Sequence, residues 1–81
     1  MTPDEFRAAR KAMGLTQTEL AVELGMQLRQ IQNLEKGTAE LRRIHALAIE
    51  RVTLAYAVGS GKPDIAGPLI RKDALAFADI A

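Results

Sequence analysis

The sequence predicts an all-α fold on three observations. Its first half is divided into three short helical segments, the first two opened by a capping threonine and all three stopped by a glycine. Apolar residues then recur at intervals of three and four as far as Gly59. After two glycine-containing breakers, the remaining residues again place several apolar side chains on one helical side.

Thr2-Pro3-Asp4-Glu5 supplies a hydroxyl cap, a proline at the first helical position and a glutamate that can reach back to the cap, so the first helix is expected from about Pro3 to Met13. Gly14 then supplies the left-handed residue that ends it. Thr16-Gln17-Thr18-Glu19 repeats the capping box, and Leu20, Ala21 and Leu24 form one apolar stripe on a second helix that Gly25 stops. A third helix begins near Gln27, turns Ile31 and Leu34 inward and closes at Gly37. Leu41, Ile44, Leu47, Ala48, Val52, Ala55 and Val58 predict a long fourth helix up to Gly59, with a break near Leu41. Gly59-Ser60-Gly61-Lys62-Pro63 and Gly67-Pro68 are the breakers, and Leu69 to Ala81 follows with Ile70, Ala74, Phe77 and Ala78 on one side. Two parts are expected: residues 1–58, a helix-turn-helix domain, and residues 59–81, a C-terminal tail that either pairs subunits or covers its own core.

Eighty-one residues suffice for one small core, filled by Leu, Ile, Val and Ala, since 48% of the chain is hydrophobic and its aromatics are Phe6, Phe77 and Tyr56. With no cysteine there is no disulfide and no thiolate metal site. No apolar run approaches a membrane span, and Met1 to Glu5 carries an acidic pair where a signal peptide has a basic start. A cytoplasmic protein, such as one of a bacterial cytoplasm, is therefore expected, with no membrane partner.

Two short helices joined by a tight glycine turn, the second polar on its outer face, are the layout of a helix-turn-helix reading head, and make duplex DNA the first partner to consider. A net charge of +1 is low for a chain held by phosphate attraction alone, so the distribution of charge matters more than its sum. Arg29, Lys36, Arg42 and Arg43 gather around the third helix, against Glu35 and Glu40. With Ile31 and Leu34 inward, the 100° helical step turns Gln27, Leu28, Gln32 and Asn33 outward, with Arg29 and Lys36 flanking them. Arg29 suits the O6 and N7 of guanine, and Gln32 or Asn33 the N6 and N7 of adenine. Leu28 either touches a thymine methyl or packs beneath the helix. The bland alternative is a solvated amphipathic face, which any helix of this kind displays. Gln17 stands in the first turn of the second helix, where free N–H groups and the positive end of the helix dipole attract a phosphate oxygen. Thr16 and Lys36 are its companions, while Arg42 and Arg43 are either backbone ligands or a solvated pair at a helix start.

The residues from about Phe6 to Gly37 resemble the DNA-binding domain of the Xre and Cro/C1-type phage repressors. The resemblance rests on Arg10, on Gly14-Leu15-Thr16-Gln17-Thr18-Glu19-Leu20-Ala21, and on Ile31-Gln32-Asn33-Leu34-Glu35-Lys36-Gly37. It implies a compact bundle of about five helices of the lambda repressor kind and a transcriptional regulator. It implies further that Gln27, Leu28, Arg29 and Asn33 meet the major groove, that Gln17 meets the backbone, and that Arg10 and Glu35 form a partly buried structural ion pair. The small size also resembles the autoregulators of phage and mobile-element operons, including anti-CRISPR-associated repressors, which would work in a host cytoplasm.

An enzyme is not expected. His45 has no second histidine or cysteine with which to build a metal site, and Gly59-Ser60-Gly61-Lys62 lacks the spaced glycines and the Lys-Ser/Thr ending of a phosphate loop. No cofactor, metal or small-molecule effector is indicated. One reading head buries too little DNA for tight selection, so a homodimer on a palindromic operator is expected. Ile49, Leu54, Tyr56 and Ala57 of the fourth helix, with Leu69, Ile70, Leu75 and Phe77 of the tail, are the candidate seam. Two functions remain: an autoregulatory repressor, and an interaction module such as an antitoxin whose tail binds a partner protein.

Overall fold

The computed structural model describes all 81 residues, and every regular element in it is helical. In chain order they are α1 (Pro3–Ala12), α2 (Gln17–Leu24), α3 (Leu28–Lys36), α4 (Arg43–Ser60), a single 3₁₀ turn (Pro63–Ile65) and α5 (Pro68–Ile80). No helix is long and apolar enough to cross a membrane.

Local chemistry sets the first three helices. The Thr2 and Thr16 hydroxyls accept from the Glu5 and Glu19 amides at 3.1 Å, while those glutamates accept from the Thr2 and Thr16 amides at 2.7 and 2.9 Å. Each reciprocal pair satisfies two amides that a helix start would otherwise leave open. Between α2 and α3, Gly25 adopts φ 66°, a left-handed conformation that costs glycine no Cβ clash. The Met26 amide then donates to Ala21 at 2.9 Å and the Gly25 amide to Val22 at 3.2 Å, closing the turn within three residues.

The core joins α1 to α4. Phe6, Met13, Leu20, Ala21, Ile31, Leu34 and Ile49 form one buried cluster, with Leu15, Leu24, Met26, Leu41, Val52, Tyr56 and Ile65 packed against it. Ile31 and Leu34 point inward as their spacing predicts, which fixes the opposite face of α3 toward solvent.

Helix α4 departs from expectation in both phase and extent. Its buried residues are Ile49, Glu50, Thr53 and Ala57, whereas Ile44, Leu47 and Val58 of the expected inward stripe are exposed. Two polar residues on the inward face conceal the true phase from an apolar count. Leu41 lies before the helix and still packs on the core. The helix also continues through Gly59 and Ser60 and stops at Gly61, which takes the left-handed conformation (φ 68°) and donates to Val58.

Glu50 and Thr53 dock α5. The Thr53 hydroxyl donates to the Glu50 carbonyl at 2.6 Å and accepts from the Gly67 amide at 2.9 Å. Glu50 Oε1 accepts from the Leu69 amide at 3.2 Å, so a carboxylate from α4 caps the positive end of α5 in place of the missing side chain of Gly67. A Cβ at position 67 would fall on this carboxylate. Beyond that first turn α5 is loosely held: Ile70 and Ala74 are half-buried, no residue of the helix is buried, and Leu69, Leu75 and Phe77 remain exposed. The tail therefore does not cover its own core with those side chains.

Gly67→Ala is expected to displace Glu50 and release the start of α5, at a cost of about 1–3 kcal/mol. Hydrogen exchange checks this: protection should fall at Leu69 to Arg71 and persist in α1 to α3.

Candidate nucleic-acid interface

The face of α3 opposite Ile31 and Leu34 is built from residues spaced three and four apart. Arg29, Gln32, Asn33 and Lys36 follow one another along it, because steps of three and four return to one side of an α-helix. Arg29 and Lys36 are exposed and form its centre, whereas Gln32 and Asn33 are half-buried. This reverses the expected arrangement, in which the two amides are central and the basic side chains flank them. Asn33 is further restrained, since its Oδ1 accepts from the Thr38 hydroxyl at 3.2 Å and its carbonyl accepts from the Thr38 amide at 3.0 Å.

Gln27 caps the entrance of α3 and is exposed with Leu28, which retains 38% of its surface. Leu28 therefore does not pack wholly beneath the helix. The Gln27 amide donates to Gln30 Oε1 at 2.8 Å, a half capping box that leaves the Leu28 and Arg29 amides without an intrahelical acceptor. A signal for Gln30 was present in the Gln27-x-x-Gln30 spacing.

Beneath this face lies a buried electrostatic knot. The Glu35 side chain is 2% exposed and takes a bidentate contact from Arg10, with Nε to Oε2 at 2.7 Å and Nη2 to Oε1 at 2.9 Å. The third arm of the fork donates to the Leu15 carbonyl at 3.0 Å. Gln17 Nε2 donates to Glu35 Oε1 at 3.1 Å, and Arg7 donates to the Glu35 carbonyl at 2.8 Å. Arg7 also approaches the carboxylate at 3.5 Å. Three helices are thus tied through one carboxylate, and no buried side-chain nitrogen or oxygen lacks a partner. Burial pushes the Glu35 carboxyl upward, but the hydrogen bonds from Arg10 and Gln17 and the charges of Arg10 and Arg7 outweigh it and hold the group below its ordinary range. The same pair raises the already high affinity of Arg10 for its proton. Arg7, which sequence reasoning missed, stands one turn before Arg10 on the same side of α1.

The knot changes the role available to Gln17. Its side-chain amide is engaged with Glu35, so a phosphate can meet it chiefly through the main chain, where the Gln17 and Thr18 amides open the first turn of α2 without intrahelical acceptors. Thr16 is similarly occupied, with its hydroxyl accepting from Glu19. Lys36 is exposed at the far end of α3. Arg42 and Arg43 stand at the start of α4, both exposed, and Arg42 approaches Glu40 at 3.5 Å. His45 Nδ1 accepts from the Arg42 amide at 3.0 Å, so the one histidine serves as a helix cap. No group of three or more histidine, aspartate or glutamate side chains converges as a metal site would require.

A family model described as helix-turn-helix matches residues 6–53, more than half of the chain. The chain belongs to the helix-turn-helix family of the Xre and Cro/C1 type. It is accordingly a DNA-binding transcription regulator, and the matched span runs from the first core residue of α1 to the Thr53 that docks α5. No curated protein and no solved structure matches the regulator.

The stability of the regulator should follow the Glu35 carboxyl. Because its folded value lies below the ordinary 4.5, the knot contributes fully above that value and its contribution is lost as pH falls through the folded one. Urea unfolding across the acid range should show this loss, and Glu35→Gln should remove that part of the pH dependence. Arg10→Ala strands a buried charge and should cost about 3–5 kcal/mol, a large share of the stability of so small a domain.

Proposed function

We propose that the regulator is a homodimeric repressor that occupies a palindromic operator, its own promoter in the first instance, and blocks polymerase by occupancy. The observation that carries this reading is the open outward face of α3, where Arg29 and Lys36 are exposed and nothing in the chain seals them. A helix of this width fits a major groove about 12 Å wide.

In this reading Arg29 makes the bidentate contact to guanine, and Gln32 and Asn33 contribute amides toward adenine from the edge of the face. Gln27 and Leu28 meet the groove through the first turn of α3, with Leu28 against a thymine methyl. The entrance of α2 after Thr16 receives a phosphate on the Gln17 and Thr18 amides, and Lys36, Arg42 and Arg43 neutralise further phosphates. The Glu40 contact to Arg42 does not oppose this, because an exposed pair of that kind is worth little and yields to a phosphate. Two heads related by a two-fold axis would read half-sites about one turn, or roughly 34 Å, apart. The site of action is the cytoplasm, bacterial or that of a phage host, where the operator is found.

Gel shifts with the DNA upstream of the regulator's own gene, at stated salt, test the proposal. Arg29→Ala should lose about 1–3 kcal/mol of preference for the operator and retain non-specific binding. Arg43→Ala should weaken all duplexes alike and lower the slope of log affinity against log salt by about one. Failure to shift any duplex would contradict the reading.

A further inference from the structure

Helix α3 ends in a turn that folds the chain back beside its own outward face. Gly37 takes the left-handed conformation (φ 80°), its amide donates to the Leu34 carbonyl at 3.4 Å, and the Thr38 amide donates to the Asn33 carbonyl at 3.0 Å. That pair of bonds is the Schellman closure, which ordinarily sets an apolar side chain just past the glycine against another in the last turn of the helix. Here the two places are taken by Thr38 and Asn33. The Thr38 hydroxyl lies 3.2 Å from Asn33 Oδ1, at the edge of the face that carries Arg29 and Lys36.

The bonds around Asn33 decide which way its amide points. Its carbonyl already accepts from the amides of Gly37, Thr38 and Ala39, so the hydroxyl, 3.3 Å from that crowded oxygen, gives its single proton to Oδ1. The reverse sense, with Nδ2 donating to the hydroxyl, would leave the proton to the crowded carbonyl or to water. With Oδ1 turned to Thr38, both hydrogens of Nδ2 face solvent and one Oδ1 lone pair stays free. Of Arg29, Gln32, Asn33 and Lys36, Asn33 is the one whose side chain is held by another.

We propose that Thr38 is a positioning residue for base recognition: its hydroxyl pins the Asn33 amide in one sense before DNA arrives, and the preference of Asn33 for adenine depends on that pin. The inference deepens the reading of α3 given above and rests on it. Adenine offers N7 as acceptor and N6–H as donor in a fixed order, which an amide matches in one sense only. An amide free to turn over has to be ordered on binding and tolerates an edge of the opposite order. An exposed hydroxyl bond removes that freedom with little effect on stability.

Binding-site selection from a randomised duplex library, at fixed salt, compares the wild-type chain with Thr38→Val, Thr38→Ser and Asn33→Ala. Asn33→Ala marks the base pair that Asn33 reads. Thr38→Val should lower discrimination at that same pair about fivefold and leave other positions within about twofold, Thr38→Ser should retain it, and Thr38→Val should add nothing in an Asn33→Ala background. Valine keeps the shape of threonine at an exposed site, so thermal unfolding should be unchanged. In the chain without DNA, nuclear spin relaxation of the Asn33 side-chain amide should report a restrained group in the wild type and Thr38→Ser and a freer one in Thr38→Val. Undiminished discrimination in Thr38→Val, a loss spread over every position, or an Asn33 amide equally mobile in all chains overturns the inference and leaves the reading of α3 standing. A wild-type chain that selects no sequence overturns both.

Discussion

The carboxylate of Glu35 is buried at the inner side of α3, and a buried charge must be met on all sides or it unfolds what surrounds it. Arg10 meets it with two arms of a rigid fork and uses the third on the Leu15 carbonyl at the entrance to α2. Gln17 reaches it from the first turn of α2, and Arg7 holds the carbonyl of the same residue. The angle between α2 and α3 is therefore fixed from below by hydrogen bonds, as well as from the side by Leu20, Ala21, Ile31 and Leu34. A head that reads bases must present side chains within a few tenths of an ångström, and apolar packing alone tolerates more slippage than that.

The same device recurs at the other end of the molecule with a different result. Glu50 and Thr53 are buried on α4 and take the amides of Leu69 and Gly67, so polar contacts locate the start of α5 where apolar contacts are sparse. The remainder of α5 stays largely exposed. The knot at Glu35 braces the reader, and the cap at Glu50 fixes where a more loosely packed helix begins. Between them lies α4, which contributes Ile49 to the core and the start of which presents Arg42 and Arg43 to solvent.

Local chemistry was legible in the sequence, whereas of the non-local chemistry only the Arg10–Glu35 pair was, and that through the family resemblance. The capping boxes at Thr2 and Thr16, the glycine stops and the inward turn of Ile31 and Leu34 depend on neighbours within one or two turns, and a reader of the sequence sees those neighbours. The phase of α4 is hidden from an apolar count because Glu50 and Thr53 face inward to serve α5, and their partners lie nineteen and fourteen residues away. Gly59 and Gly61 are equally suited by composition to end that helix, and it is Gly61 that supplies the left-handed residue. The occupation of Gln17 by Glu35 and the support from Arg7 likewise depend on the way three helices meet. On α3 the residues of the outward face were recognised, but their order was not: Thr38 holds Asn33 back, and Arg29 and Lys36 take the centre.

If α3 is the reading helix, its side bearing Arg29 and Lys36 enters the duplex while the Glu35 knot stays intact beneath it. The most direct measurement is a heteronuclear NMR titration of the labelled regulator with the duplex from its own promoter, following main-chain amides together with the Arg29 and Arg10 side-chain Nε–H groups. The largest changes should fall on Leu28 to Lys36, on the Gln17 and Thr18 amides and on the start of α4, with the Arg10 signal almost unmoved. Changes confined to other surfaces, or an Arg10 signal that shifts as strongly as that of Arg29, would contradict this reading of α3.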